Sequence, residues 1–329
     1  VGLGLINSKA NELLNGNVVL FAVPAEETIE NEFRINLIDE GKLGFISGKQ
    51  ELIRLGSFDD IDAAMLSHAT SKQSDGDLAV GGTSLGHLVK YVEFFGLASH
   101  AAGAPQDGIN ALKAANIAMM AMDSQRESFE DKDKVRVHGI LTAGGTSVNS
   151  IPSIAKLEWR IRGRTIDVVN KINTKIDRSI KAGAMAMGAK VRIRSIAGNL
   201  PMLQNKHMNN IYLNNAENIV GKNNVVLHPD DQSGGSTDMG DLSQILPIIH
   251  PRSGGAEGTG HGNNYFIKDY EKSVINPAKA MATTIIDLLW PDDMQINEVI
   301  NNHKPNYSIS EYIALQNKRM GNDFNDYTS

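Results

Sequence analysis

The 329 residues contain no cysteine, so this stretch holds no disulfide. They contain no apolar run near the roughly 18 residues that span a bilayer as a helix. They carry no excess of basic charge either. The net charge is −6 and the pI is near 5.9, with no basic stripe, which argues against a nucleic-acid partner. Val1–Gly16 lacks the basic start and small-residue cleavage site of a secretory leader. The expectation is a cytoplasmic protein with neither membrane nor nucleic acid as partner. There is no internal repeat and no low-complexity tract. What remains is ordinary globular composition, 41% hydrophobic and 21% charged, in a chain long enough for about two domains.

The chain also lacks an initiating methionine. It opens at Val1 in mid-pattern, with Leu5, Ala10, Leu13 and Leu14 on one helical stripe. The expectation is that an upstream part of the natural protein is absent.

The stretch VVLFAVPAEE organises the rest. Six apolar residues, Val18–Val23, stop at Pro24, and Glu26 and Glu27 follow. A short apolar run ended by a turn signal reads as a buried strand of a parallel sheet. Open α/β sheets place their chemistry in the loop after such a strand. A pair of acids there can divide labour between metal ligand and general base, or can simply be a solvated loop. DIDAAML at 60–66 reads as a second such strand and ends at Ser67-His68. Two strands would then deliver Glu26, Glu27 and His68 to one sheet edge. Helices are expected to about Leu14, over Phe33–Glu40 and over Gln50–Leu55.

Ser71–Gly82 is polar and glycine-rich and reads as a crossing point. Beyond it the pattern is β-α-β-β-α-β: Leu88–Phe95, Gly108–Met122, Val135–Thr142, Ile154–Arg162, Ile166–Met187 and Lys190–Ile196. Ile154–Arg162 alternates, and Ile172, Ile176 and Ile180 repeat at helical spacing. The expected organisation is an α/β first domain over 1–86 and 198–290, with an inserted compact domain at 87–197. A helix at His207–Val220, a strand at Ile245–Ile249 and a helix from Asn276 to Leu289 complete the first domain. The polar, Asn-rich 291–329 stretch reads as a peripheral tail.

Glu27, His68 and His261 are of metal-ligand type, and carboxylate with imidazole suits zinc and similar divalent ions. Taken singly, His68 can be a polar cap and His261 an exposed loop residue. His100, in GLASHAAGAPQDG, is either a surface histidine or a donor to developing negative charge. Asn149 and Arg162 matter if their sheet face covers a site, where a guanidinium can grip a carboxylate. Asp238, in GGSTDMGD, can orient a ligand or cap a turn, and that loop has no P-loop context.

At this point the residues resemble a known family, the co-catalytic metallopeptidases and amidohydrolases that include aminoacylases and glutamate carboxypeptidases. The nearest subgroup is that of aminobenzoyl-glutamate utilisation protein B. PAEE (24–27), IDAAMLSH (61–68), GLASHAAGAPQDGINALKAA (96–115), TAGGTSVNSIPS (142–153), LEWRIR (157–162), GGSTDMGDLSQILP (234–247) and GHGNNYFIKD (260–269) carry the resemblance, in family order. It implies a zinc-peptidase-like catalytic domain, a mixed sheet flanked by helices, with a ferredoxin-like lid that also dimerises. It implies Glu26 as general base and Glu27, His68 and His261 as ligands of two divalent ions per subunit, zinc, manganese or nickel. It implies that His100 reaches the partner subunit's site, and that Asn149 and Arg162 contact substrate; Asp238 stands beside them as a further candidate substrate contact. The implied substrate is an N-acyl or aminobenzoyl amino acid or a dipeptide. The family's upstream Cys and His ligands have no match here, and the last motif reads His-Gly where relatives have His-Thr or His-Ser. The expectation is therefore an incomplete metal site and an inactive fragment. The alternative is a module that only binds and dimerises.

Overall fold

A computed structural model describes residues 1–329 except 2, 3, 6, 7, 9, 28, 293 and 329, with the backbone alone at 10, 11 and 230–232. In chain order a single helical turn at Ala10–Leu13 is followed by helices α1 (Asn31–Asp39) and α2 (Gly48–Arg54) and strands β1 (Ala64–Met65), β2 (His68–Ala69) and β3 (Leu78–Ser84). The inserted unit follows: β4 (Gly86–Phe95), α3 (Ala111–Ser124), β5 (Arg136–Ala143), β6 (Ile154–Gly163), α4 (Ile166–Met187) and β7 (Lys190–Ala197). Then come α5 (Lys206–Val220), β8 (Val225–Ser233), β9 (Ile248–Ile249), β10 (Arg252–Ser253), α6 (Asn276–Leu289), α7 (Gln295–Asn302), α8 (Ile309–Arg319) and β11 (Gly321–Asp326).

Period-2 patterning builds the inserted sheet. Ala155, Leu157, Trp159 and Ile161 point to one face of β6, where α3 and α4 cover them. The stripe Val169, Ile172, Ile176, Ile180 and Ala184 is the buried face of α4. Thr165 caps that helix by accepting from the Val168 amide, and Gly188 ends it at a left-handed φ of 60°. The sheet is antiparallel throughout, in the order β11-β7-β4-β6-β5. The expected β-α-β-β-α-β unit is present.

The remaining core is a mixed sheet of order β2-β10-β3-β8, with β2/β10 and β3/β8 parallel and β10/β3 antiparallel. A short parallel pair, β1 with β9, stands beside it. Helices α5 and α6 pack through Met208, Tyr212, Ala216, Ala280 and Leu288 against Leu78, Val80 and Ile249. The fold class is the expected α/β one.

Four expectations need correction. The 18–23 run belongs to no strand, and Leu20 is 91% exposed. An apolar run becomes a strand only where a neighbour satisfies its backbone, and none pairs with it among the described residues. The 60–66 and 245–249 runs shrink to two-residue strands, β1 and β9. The 71–82 crossing point hides β3, because Gly81 and Gly82 read as breakers. Both have positive φ and form a bulge that shifts the register between Gly81 and Thr83. Finally, 291–329 is no peripheral tail. It folds into α7, α8 and β11, and buries Tyr312 and Arg319.

Candidate active site

The 234–241 segment, a loop that runs into a helical turn at Met239–Leu242, is the hub of the site. Ser236 Oγ lies 3.0 Å from His87 Nδ1, at the start of β4. The Thr237 hydroxyl donates to Glu26 Oε1 at 3.3 Å. Asp238 accepts from Lys49 Nζ at 2.6 Å, the Lys49 amide at 3.2 Å and the Ser47 hydroxyl at 3.4 Å. Asp241 accepts from the Tyr312 hydroxyl at 2.9 Å and from Gln316 at 2.8 Å, and burial pushes its carboxyl up to about 7. Asp238 is fully buried and turned onto Lys49, so it cannot touch a substrate as placed. Its work is to hold this loop on the start of α2.

The Pro24–Glu27 turn is seated on the same helix start. The Gly48 amide donates to the Ala25 carbonyl at 3.2 Å, and a Cβ at Gly48 would lie 1.9 Å from the Pro24 oxygen. Ala25 takes a left-handed φ of 61°, a strained choice for a residue with a Cβ. Gly48→Ala should therefore unseat the turn and cost about 1–3 kcal/mol, the usual range for overpacking. Urea unfolding checks this, and an unchanged midpoint would contradict the seating.

The turn leaves Glu26 half-buried. Burial first, then the charges of Asp238 and Glu27, raise its carboxyl above the ordinary range, while Lys49 and the Thr237 hydroxyl pull the other way. A carboxylate of raised proton affinity suits a general base. Glu27 Oε1 and His261 Nδ1 lie 3.8 Å apart, both well exposed. His261 also has a positive φ, 61°.

His68 Nδ1 lies 2.6 Å from the Ala69 carbonyl, which also accepts from the Tyr265 hydroxyl at 3.2 Å. Nδ1 thus donates, so in the neutral ring the lone pair sits on Nε2, the tautomer a metal ligand needs. Tyr265 ties the His261 loop to β2. Even so, no group of three or more His, Asp or Glu side chains that could hold a metal ion occurs among the described residues. The structure brings Glu27 and His261 together and leaves His68 out. Two donors of suitable chemistry are fewer than the three or four of a protein zinc site, so the arrangement as placed does not fit a resident ion.

Sequence reasoning missed Lys49, His87 and His250. His250 follows the strand β9 as His68 follows its own apolar run, a signal that was readable. It is buried, bonds the Leu66 carbonyl through Nδ1 at 2.9 Å, and meets the His68 ring edge-on at 6.0 Å. Burial, then the neighbouring His68, push its imidazole down to about 3.

The inserted domain splits its candidates between two ends. Arg162 faces His87 across the β4/β6 ladder, and its Nε lies 3.4 Å from His138 Nε2. Burial, then the Arg162 and Arg160 charges, hold His138 below the usual imidazole range. His100 and Asn149 lie beyond the other end of β4, where the Ala101 amide donates to the Asn149 carbonyl at 2.9 Å. From His87 to Phe95 the strand alone runs about 26 Å at 3.3 Å per residue. His100 Nδ1 accepts from the amides of Ala102 at 3.2 Å and Gly103 at 2.9 Å, which leaves Nε2–H as a donor.

Residues 85–186 match the family described as a peptidase dimerisation domain, M20_dimer. This segment is a peptidase dimerisation domain. Beyond it, the chain is 30% identical over 255 residues to Xaa-Arg dipeptidase of Mus musculus, covering 74% of this chain and 56% of that protein. It is 28% identical over 289 residues to Xaa-Arg dipeptidase of Homo sapiens, covering 84% and 59%. A Bacillus subtilis structure described as a dinuclear metal-binding peptidase of the M20 family superposes with a TM-score of 0.52 at 16% identity, covering 74% and 61%. That likeness speaks for the fold. The chain thus spans little more than half the length of the two dipeptidases. The resemblance read from the motifs is borne out.

Proposed function

We propose that this chain carries the general-base side of a metal-dependent amide hydrolase that frees an amino acid from an N-acyl, aminobenzoyl or peptidyl group. The observation that carries this is Glu26, a half-buried carboxylate of raised proton affinity, held by Thr237 in a fixed loop and next to the Glu27–His261 pair. Glu26 takes a proton from the attacking water and returns it to the leaving amine. Arg162 grips the substrate carboxylate. In a homodimer built through residues 85–186, the partner subunit's His100 holds the oxyanion with its Nε2–H, and Asn149 lines the same end. The strand length between His100 and Arg162 favours this arrangement over action within one chain. Glu27 and His261 would be this chain's nearest donors to a divalent ion such as zinc, manganese or nickel, and His68 would join them only if it moved toward that pair and further donors completed the set. The domain limits that accompany this reading are 1–86, 87–197 and 198–290.

A second reading, a module that binds acyl amino acids and dimerises without turnover, is favoured by the lack of a three-donor group among the described residues. Elemental analysis paired with a substrate panel separates the two. The chain is incubated with zinc, manganese or nickel, desalted, and offered N-acetyl amino acids, aminobenzoyl-glutamate and dipeptides. Metal retention near two equivalents with release of free amine supports the hydrolase. Retained metal with no amine from any substrate sinks it, and no metal with calorimetric binding of the acyl amino acid supports the module.

A further inference from the structure

The C-terminal segment crosses the junction between the two halves of the molecule. Two covalent links join the dimerisation domain to the rest, one between β3 and β4 and one after β7 at Gly198. Two links alone define a hinge axis, about which hinge closure of paired domains is the common motion. The segment from Asn306 to Asp326 adds a third connection, and its anchors lie on both sides.

On the catalytic side, the Asn306 and Tyr307 amides donate to the Gln244 carbonyl at 2.9 and 3.2 Å. The Tyr312 hydroxyl and Gln316 hold Asp241 of the hub loop. At the hinge itself, Arg319 is buried and donates through Nη2 to the His87 carbonyl at 2.6 Å and through Nη1 to the Gly198 carbonyl at 2.9 Å. The first carbonyl stands at the start of β4, just past the first link, and the second lies in the link after β7. On the far side, β11 pairs with β7 over six residues, Gly321 with Ser195 through Asp326 with Lys190. Lys181–Asp323 at 2.5 Å and Lys190–Asp326 at 2.9 Å flank that ladder.

Slack decides what this means. Only Met320 separates the end of α8 at Arg319 from the start of β11 at Gly321. It is already extended, with φ −79° and ψ 142°. One residue spans at most about 3.6 Å, so the link cannot lengthen. Rotation of the dimerisation domain must peel β11 from β7, pull Arg319 out of the hinge, or lift α8 from Asp241. We propose that residues 306–326 are a strap that sets the angle between the dimerisation domain and the catalytic half. The same strap, through Asp241, braces the loop that holds Glu26. This inference goes beyond the hydrolytic reading and does not depend on turnover.

The absence of cysteine makes the test clean. Lys171→Cys on α4 and Lys279→Cys on α6 give two exposed labelling positions. The spin-labelled full chain, diluted with unlabelled chain, is measured by double electron–electron resonance. The parent should give one narrow distance distribution. A variant ending at Met320, and a second with Gly-Ser-Gly-Ser inserted after Met320, should both broaden and shift it. The insertion keeps both anchors and adds only slack, so it decides the matter if the shortened chain fails to fold. A parental distribution in the insertion variant, or a parent as broad as either variant, overturns the strap.

Discussion

Glu26→Gln is expected to lower kcat by about 10²–10⁴-fold, the range that a positioned general base contributes, in any preparation that releases amine from an acyl amino acid. Glutamine has the same shape and still accepts from Thr237, but it cannot take the water's proton. The metal content of the variant should match the parent, because Glu26 is not a proposed ligand. Steady-state kinetics with elemental analysis checks both halves, and a kcat near the parental value removes Glu26 from the mechanism. Mixing Glu26→Gln chains with His100→Ala chains extends the test. In the mixed dimer one site unites an intact Glu26 with an intact His100 of the partner subunit, so part of the activity should return. No recovery would return the oxyanion role to residues within one chain, against the strand length that separates His100 from Arg162.

How far the sequence exposed this architecture depended on how local each signal was. The inserted unit was legible to within three residues at its boundaries because its patterns are local and agree with each other: alternation in β6 and a 3.6-residue stripe in α4. The strand β3 was not, because the glycine pair that bends it looks like a break. The 306–326 segment was missed for a different reason. β11 reads GNDFND and is held by backbone pairing at a sheet edge, which leaves no apolar alternation to see. In the site, the EE pair and His261 were visible as chemistry, and the structure brings Glu27 and His261 to 3.8 Å. The partners that position them were invisible. Lys49 near a helix start reads as a solvated charge, and its carboxylate stands 189 residues away. Asp238, conversely, looked available to a substrate until its burial was known.

That buried pair carries the largest expected stability effect. Lys49→Met should cost about 3–5 kcal/mol, since removing one partner of a buried ion pair leaves the other uncompensated. The Lys49 side chain is 7% exposed and Asp238 is not exposed at all, so water cannot replace the lost ammonium without opening the loop. Asp238 would retain the Lys49 amide and the Ser47 hydroxyl at 3.2 and 3.4 Å, which are too long to stand in for a 2.6 Å charged contact. The double variant Lys49→Met, Asp238→Leu should recover most of the loss, because an apolar pair of similar volume has no charge to desolvate. Urea unfolding of the parent, both single variants and the double variant closes the cycle. A loss below about 1 kcal/mol for Lys49→Met would place the pair in the range of exposed salt bridges. The hub loop would then be held by its backbone contacts and by His87, not by this charge.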